Sequence, residues 1–447
     1  MAKKISEYFK TAYVDFGSFD NYRKIANYVD GFKVSGRKVM YTVMQHPKEE
    51  VKVSVLQSRT SENTRYLHGD QSLFGVIVGL AQDFPGTNNA PLLKRQGNFG
   101  NRHIPEASAG RYIFTKAEDI LPLLFHPLDA SILEEQVFEG DKIEPRFYVP
   151  TIPLLLVNGS EGLSTGFAQR ILPREIKRVI HAIRAKLDGK KNVDLTPSFR
   201  GFTGTVTKGA EDGSYEIRGV IKRVNTTRVL ITELPVGYDL KSYCKVLDRL
   251  EEADKIKGYE DLSTDDKFTF EVDMKREVLA SLDDESLLTF FRLVKKETEN
   301  YVCNDENNRL REFKSSNEVL EAFVEIRMRY YQKRKDYIVN RLKREIAQMH
   351  SKYLFIKGVI EKTINVENRS EEDVIKQLEK IGEIVKIEDS YNYLLNMPMK
   401  SMTKEVYRRL KDDIQEAAAQ LKDTSKKEPK DLWLADLDAL QNAVRSF

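Results

Sequence analysis

The chain has 447 residues, 40% hydrophobic and 32% charged. That is enough for about three domains of ~100–200 residues and argues against wholesale disorder. The net charge of +3 is uneven, because residues 1–112 hold sixteen Lys and Arg against ten Asp and Glu, so the basic end is the natural place for a polyanion. Cys244 and Cys303 are the only cysteines and argue against a disulfide framework or a zinc cluster. The sequence has neither an apolar run of ~20 residues nor a signal-type start, which predicts a cytoplasmic protein without a membrane span.

Residues 1–20 read as an N-terminal arm. From Asn21 to about Gln45 the pattern is helix, turn, helix: NYRKIANYV and GRKVMYTVMQ flank DGFKVSG, whose Asp-Gly pair and Gly36 supply the turn. A further helix is predicted with Asp70 as its N-cap and Leu73, Val76, Ile77, Leu80, Ala81 and Phe84 at helical spacing. Loops rich in Asn and Gly between Pro85 and Pro105 precede RYIFT, which alternates like a strand. Three short helices followed by such loops resemble a winged-helix unit, expected over residues 21–145.

Pro145 to Pro173 is dense in turn residues and contains a buried-strand run, Ile152 to Val157, so a second domain is expected over residues 146–310. Within it TGTVTK, YEIRGVIKRV, TRVLITELP and FTFEVDM read as strands, with a helix from Leu240 to Ala253 between two of them. Asn317 to about Lys357 lacks both Pro and Gly and carries a drifting apolar stripe from Phe323 to Tyr353, which predicts one helix of about 40 residues. A return helix from Thr403 to about Leu421 completes an antiparallel coiled coil, with arms over residues 311–357 and 401–425. A small helical knob over residues 358–400 is expected to make a dimer contact, and residues 426–447 form a C-terminal segment. The expected fold class is α+β and multidomain.

ASAGRYIFT, residues 107–115, places Arg111 beside Tyr112 after three small residues. A phenol with a pKa near 10 is a poor nucleophile at neutral pH, so a catalytic Tyr needs a cationic neighbour or a metal. Arg111 is such a neighbour, and the small residues would let a DNA backbone approach.

DGFKVSGRKVMYTV, YLHGDQSLFGVIVGLAQDF, QGNFGNR, AGRYIFT and VNGSEGLSTG follow one another in the order and near the spacing of the breakage-reunion region of type II DNA topoisomerases. The resemblance runs from about residue 20 to the end. HGDQSL with GLAQDF, IEPRFYVPTIP and YNYLLNMPM lean toward the eukaryotic enzymes, and the short chain is most similar to the free-standing subunits of T-even phage type. The resemblance implies a winged-helix domain, an α/β tower, and a long coiled coil ending in a helical C-gate. It also implies that Tyr112 attacks a backbone phosphate and becomes joined to the 5′ end of the cut strand, with Arg111 stabilising the transition state. Arg23 and Lys33 match basic positions that contact phosphates, with Arg37 and Lys38 as further backbone contacts. His68 matches the His before Gly in the family's motif, but Leu67 stands where relatives usually carry another His, which argues against a two-His mechanism. Leu163 occupies the apolar slot of EGLSTG, where relatives wedge an isoleucine between base pairs.

The acidic metal-binding fold and the nucleotide loop of these enzymes are not recognisable here. Glu139-Gly140-Asp141 resembles the first metal motif and Asp436 and Asp438 form a DxD, yet both lie in the wrong context. The expectation is therefore no metal site in this chain, with Mg²⁺ and ATP bound by a separate large subunit. A homodimer on double-stranded DNA is expected, performing relaxation and decatenation rather than supercoiling, because the chain stops at Phe447 without a wrapping domain. Competing readings are a non-catalytic DNA-bending scaffold, which would not need Arg111 and Tyr112 together, and a single-strand-nicking recombinase.

Overall fold

A computed structural model describes residues 5–265 and 267–444. It divides into two compact units, Met1–Arg327 with Leu434–Phe447, and Met328–Trp433.

The first unit begins with helices α1 (Ile5–Lys10) and α2 (Ala12–Lys24), which leave Ile5, Phe9, Phe16 and Phe19 exposed. Only the first residues of NYRKIANYV are helical. After Ile25 the chain leaves the helix, bridges Asn304 through Asn27 and turns over Tyr28–Asp30, almost fully buried throughout, because Tyr28 N–H donates to the Asn304 carbonyl and Asn304 N–H to that of Ala26, both at 3.0 Å. Tertiary pairing overrides local helical preference here. Helix α3 (Val34–Gln45), strand β1 (Val51–Lys52), helix α4 (Val53–Thr64) and helix α5 (Asp70–Ala81) follow. The three helices pack on one another around Val39, Met40, Leu56, Leu73 and Ile77.

Helix α4 is not read from the sequence, since Val, Ser and Thr dominate VSVLQSRTSENT and are weak helix formers. Tertiary burial of Val53, Leu56, Thr60 and Thr64 supports it. The Thr60 and Thr64 hydroxyls donate to the carbonyls one turn back, at 2.8 and 2.6 Å. Helix α5 starts at Asp70 with Gly69 as its N-cap, correcting the assignment of Asp70 to that role, and it stops before Phe84.

Strand β2, only Phe114–Thr115 of the expected RYIFT strand, pairs with β1. Two hairpins come next, β3 (Gln136–Phe138) with β4 (Asp141–Ile143), and β5 (Ser160–Ser164) with β6 (Phe167–Ile171). Between them the run expected as a buried strand is instead the helix Leu154–Asn158 behind Pro153. Its leucines are all buried, and an apolar run covered on every side has no period to separate helix from strand.

Strands β7 (Thr205–Lys208), β8 (Ser214–Arg218), β9 (Val220–Arg223), β10 (Arg228–Glu233), β11 (Gly258–Asp261), β12 (Phe270–Asp273) and β13 (Val294–Thr298) build two antiparallel sheets, ordered β11-β12-β10-β9 and β13-β8-β7. YEIRGVIKRV is thus two strands in two sheets, broken at Gly219. The helix Leu240–Glu252 starts with a capping box of Asp239 and Ser242 and buries Tyr243 and Leu247 against Val229, Ile231, Phe270 and Val272. The β14 (Tyr301–Asn304) and β15 (Leu310–Phe313) hairpin leads into the helix Ser316–Ile360.

In the second unit that 45-residue helix is accompanied by the helix Lys404–Lys426, capped by the Thr403 hydroxyl. Tyr353 stacks on Tyr407 at 4.7 Å between centroids, their hydroxyls 2.7 Å apart, and Tyr331 stacks on the fully buried Trp433 at 5.3 Å. The two rungs run in opposite chain directions, as an antiparallel pairing requires. Phe355, Ile364, Val374, Leu378, Ile384, Tyr391 and Leu394 form a separate small core between these helices in the chain. No helix among the described residues is long and apolar enough to cross a membrane.

Candidate nucleic-acid interface

Tyr112 lies in a turn closed by its own N–H on the Ala109 carbonyl, at 2.9 Å. The turn is fixed to the start of α4, where Val53 N–H donates to Ile113 O at 3.0 Å and Ser54 N–H to Gly110 O at 3.1 Å. These are two of the amides a helix N-terminus leaves unsatisfied. A Cβ at Gly110 would press on Ser54 N at 3.2 Å and on Phe74 of α5 at 3.3 Å, which explains a small residue there. Ile113 is buried behind the turn while Tyr112 is 65% exposed, so the backbone is anchored and the phenol is presented to solvent. The Arg111 guanidinium lies 4.9 Å from the centre of the Tyr112 ring, within cation–π range.

Arg23, Lys33, Lys38 and His68 come together as walls of one cleft of about 520 Å³, floored by Glu144 and rimmed by Phe19, Leu67 and Phe138. Neither Tyr112, Arg111 nor Leu163 lines it. Arg23 sits over the Phe19 ring at 5.6 Å. Lys33 is the N-cap residue of α3, and its ammonium donates to the Glu161 carbonyl at 2.7 Å. Burial pulls its pKa below the usual lysine value, against the opposing pull of Glu161.

Two of the expected phosphate contacts are corrected. Arg37 is buried, with side-chain exposure of 2%. Its Nε donates to Asp30 Oδ2 at 2.7 Å and its Nη2 to Oδ1 at 3.2 Å, while the same carboxylate accepts from Phe32 N–H at 2.9 Å and Tyr148 N–H at 3.1 Å. The guanidinium is therefore a structural ion partner with almost no face toward solvent. Lys38 donates to the Thr64 carbonyl at 2.7 Å and to Glu144 at 3.0 Å, so its charge is neutralised inside the cleft instead of reaching out of it.

His68 is exposed on the loop between α4 and α5, edge-on to Tyr66 at 5.4 Å, one residue ahead of the Gly69 N-cap. Burial lowers its pKa below the ordinary histidine value, helped by the positive charges of Arg23 and Lys38. The shift favours the neutral imidazole. An anion in the cleft favours the charged form, so anion affinity rises as pH falls from the complex's higher pKa toward the free one. An NMR titration of the free protein is expected to place His68 below 6.5, and Arg23→Ala to move it up; a value above 6.5 in wild type would contradict this electrostatic picture.

Leu163 is 72% exposed, with Phe167 46% exposed nearby. It is carried on strand β5 opposite Ala168, rather than on the tight loop expected. Besides Lys33, Asp20 and Asn21 hold this hairpin through Thr165 and Ser164; these two escape a reading of the sequence, where nothing links position 20 to position 165. The acidic pairs read as decoys are engaged elsewhere: Asp141 pairs with Arg65, and Asp438 with Arg184 at 2.6 Å. Among the described residues no group of three or more His, Cys, Asp and Glu is arranged to hold a metal ion.

Residues 23–438 match the family model for the A-type subunit of DNA gyrase/topoisomerase IV, and the chain belongs to that family. Among individual relatives it is similar to the mitochondrial DNA topoisomerase 2 of Dictyostelium discoideum, 33% identical over 94% of this chain and 34% of that protein. It is also similar to DNA topoisomerase 2 of Saccharomyces cerevisiae, 32% identical over 99% of this chain and 35% of that one. The chain spans about a third of the length of these relatives. Its fold matches the crystal structure of the Plasmodium falciparum topoisomerase II DNA-binding, cleavage and re-ligation domain, with a TM-score of 0.89 and 29% identity over 97% of this chain and 63% of that one.

Proposed function

We propose that this chain is the breakage-and-rejoining part of an ATP-dependent type II DNA topoisomerase, working as a homodimer in which two Tyr112 residues cut opposite strands. The observation that carries the proposal is the exposed Tyr112 phenol under Arg111, on the same compact unit as a basic cleft and an exposed apolar hairpin. In the proposed step the Tyr112 oxygen displaces the 3′ oxygen of a backbone phosphate, leaving Tyr112 joined to the 5′ end. One phosphodiester is exchanged for another, so the linkage is kept for resealing. Arg111 offsets charge on the phosphoryl group. Arg23, Lys33 and His68 take neighbouring phosphates, and Leu163 unstacks a base step to bend the duplex.

Residues 21–145 serve as the winged-helix domain, 146–310 as the tower, 311–357 and 401–425 as the arms, and 358–400 as a second dimer contact. None of the proposed steps runs through a metal held by this chain. In this reading Mg²⁺ and ATP belong to a separate large subunit of the phage type, which works with this chain on DNA in a host cytoplasm to relax and decatenate it. The test mixes the chain with its ATPase partner, Mg²⁺, ATP and supercoiled plasmid, then adds denaturant. Linear DNA with protein covalently at its 5′ ends is the expected product. Nicked circles alone, or no adduct under any condition, would overturn the proposal.

A further inference from the structure

A two-stranded ribbon is only marginally stable alone, so where an exposed hairpin residue sits depends on what clamps the ribbon. The base of the β5–β6 hairpin is tied to the body of the unit. Arg170 and Asn300 exchange backbone hydrogen bonds at 2.9 and 2.7 Å, and the buried Gln169 side chain accepts from Ala26 N–H at 3.1 Å and donates to Val302 O at 2.7 Å. Midway, Lys33 holds the Glu161 carbonyl, and Gly162 lies so close to the Lys24 carbonyl that a Cβ there would overlap it. Leu163 projects just beyond this point, and the tip above it is held by the end of α2. Asp20 Oδ2 accepts from Thr165 N–H at 2.9 Å and from its hydroxyl at 3.0 Å, and the Ser164 hydroxyl donates to Asn21 Oδ1 at 2.6 Å.

Asp20 is 8% exposed, and its second oxygen meets the Lys24 ammonium at 3.0 Å. Burial works to raise the pKa of this carboxyl, but hydrogen bonds from Lys24 and Thr165, with the Lys24 charge, outweigh it and hold the pKa below the usual carboxylate value. The acceptor is therefore the ionised form, which makes the stronger hydrogen bonds.

We infer that Asp20 is the positioning residue of the Leu163 wedge: its carboxylate pins the hairpin tip to the helix that carries Arg23, so the wedge keeps a set depth and direction relative to the basic cleft. The inference rests on the reading of Leu163 as the unstacking residue. Losing Asp20 leaves the hairpin base, Arg23, Lys33 and His68 in place. Phosphate contacts then persist while the wedge loses its aim, so binding and bending come apart.

The experiment measures the bent population of an end-labelled duplex by energy transfer at saturating protein, and duplex affinity separately, for wild type, Leu163→Ala, Asp20→Ala and the double variant. Asp20→Ala is expected to lower the bent-to-straight ratio about tenfold, the scale of a lost charge-assisted hydrogen bond, with affinity changed less than about threefold because the phosphate contacts remain. The double variant should bend no less than Leu163→Ala alone. Thr165→Val, which removes one of the two donors and leaves α2 untouched, should lower the ratio by about threefold and keeps the test decisive if Asp20→Ala melts early. If Leu163→Ala bends DNA like wild type, the wedge reading itself fails. If Leu163→Ala straightens the duplex but Asp20→Ala and Thr165→Val do not, the clamp is wrong and the wedge stands. A further loss from Asp20→Ala in the Leu163→Ala background would show that Asp20 acts by another route and also overturns the inference.

Discussion

Changing Tyr112 to Phe is expected to reduce covalent protein–DNA adducts by at least ~10³-fold, the scale on which removal of an obligatory nucleophile acts. Duplex affinity should stay within about threefold of wild type, because the fold around the turn does not depend on the phenol oxygen. Ile113 anchors the turn, its backbone hydrogen bonds run to α4, and Arg111 packs on the face of the ring. Phe keeps all three. Gel separation of plasmid under denaturing conditions reads the adduct, and filter binding or anisotropy reads affinity. Adducts that persist in Tyr112→Phe would move the nucleophile elsewhere, and a parallel loss of affinity would mean that the ring, not its oxygen, is what matters.

Arg37→Ala is expected to cost about 3–5 kcal/mol of stability, the range for removing one partner of a buried ion pair. The substitution strips Asp30 of its charged partner in a site where both side chains are almost wholly covered. Two backbone N–H groups remain on the carboxylate, too few to replace two guanidinium hydrogen bonds. Urea unfolding of the full chain should show a large fall in midpoint, while DNA affinity per folded molecule changes little. A well-folded Arg37→Ala protein with sharply weakened binding would restore Arg37 to the DNA surface.

This contrast shows what the sequence could carry. The order and spacing of motifs nominated Tyr112, Arg111 and the groups Arg23, Lys33 and His68, because residue type is enough to nominate a cation or a nucleophile. Residue type cannot say which cation is already satisfied. Arg37 and Lys38 differ from Arg23 through Asp30 and Glu144, and Glu144 lies more than a hundred positions away in the chain. The long helix and strands β7 to β10 and β12 were legible because their periodicity is strong and their breakers few, whereas β11, β13, β14 and β15 were not read. Helix α4 and the helix Leu154–Asn158 were not, the first because threonines stand on its buried face and the second because it is buried all round. Ile25–Val29 was misread for a third reason: its partner, Asn304, is supplied by a hairpin at the far end of the unit.

The contact between Gly162 and the Lys24 carbonyl acts as a mechanical stop. Two backbones rest on each other there with no side chain between them, so main-chain atoms limit how near the strand comes to α2, and the Asp20 contact at the tip holds the next residue against that limit. If Leu163 acts as the proposed wedge, exchanging it for a longer or shorter apolar residue should alter how much of a base step is filled, but not the level from which filling starts. Any side chain at position 162 would meet the Lys24 carbonyl and lift the strand, whatever residue stands at 163.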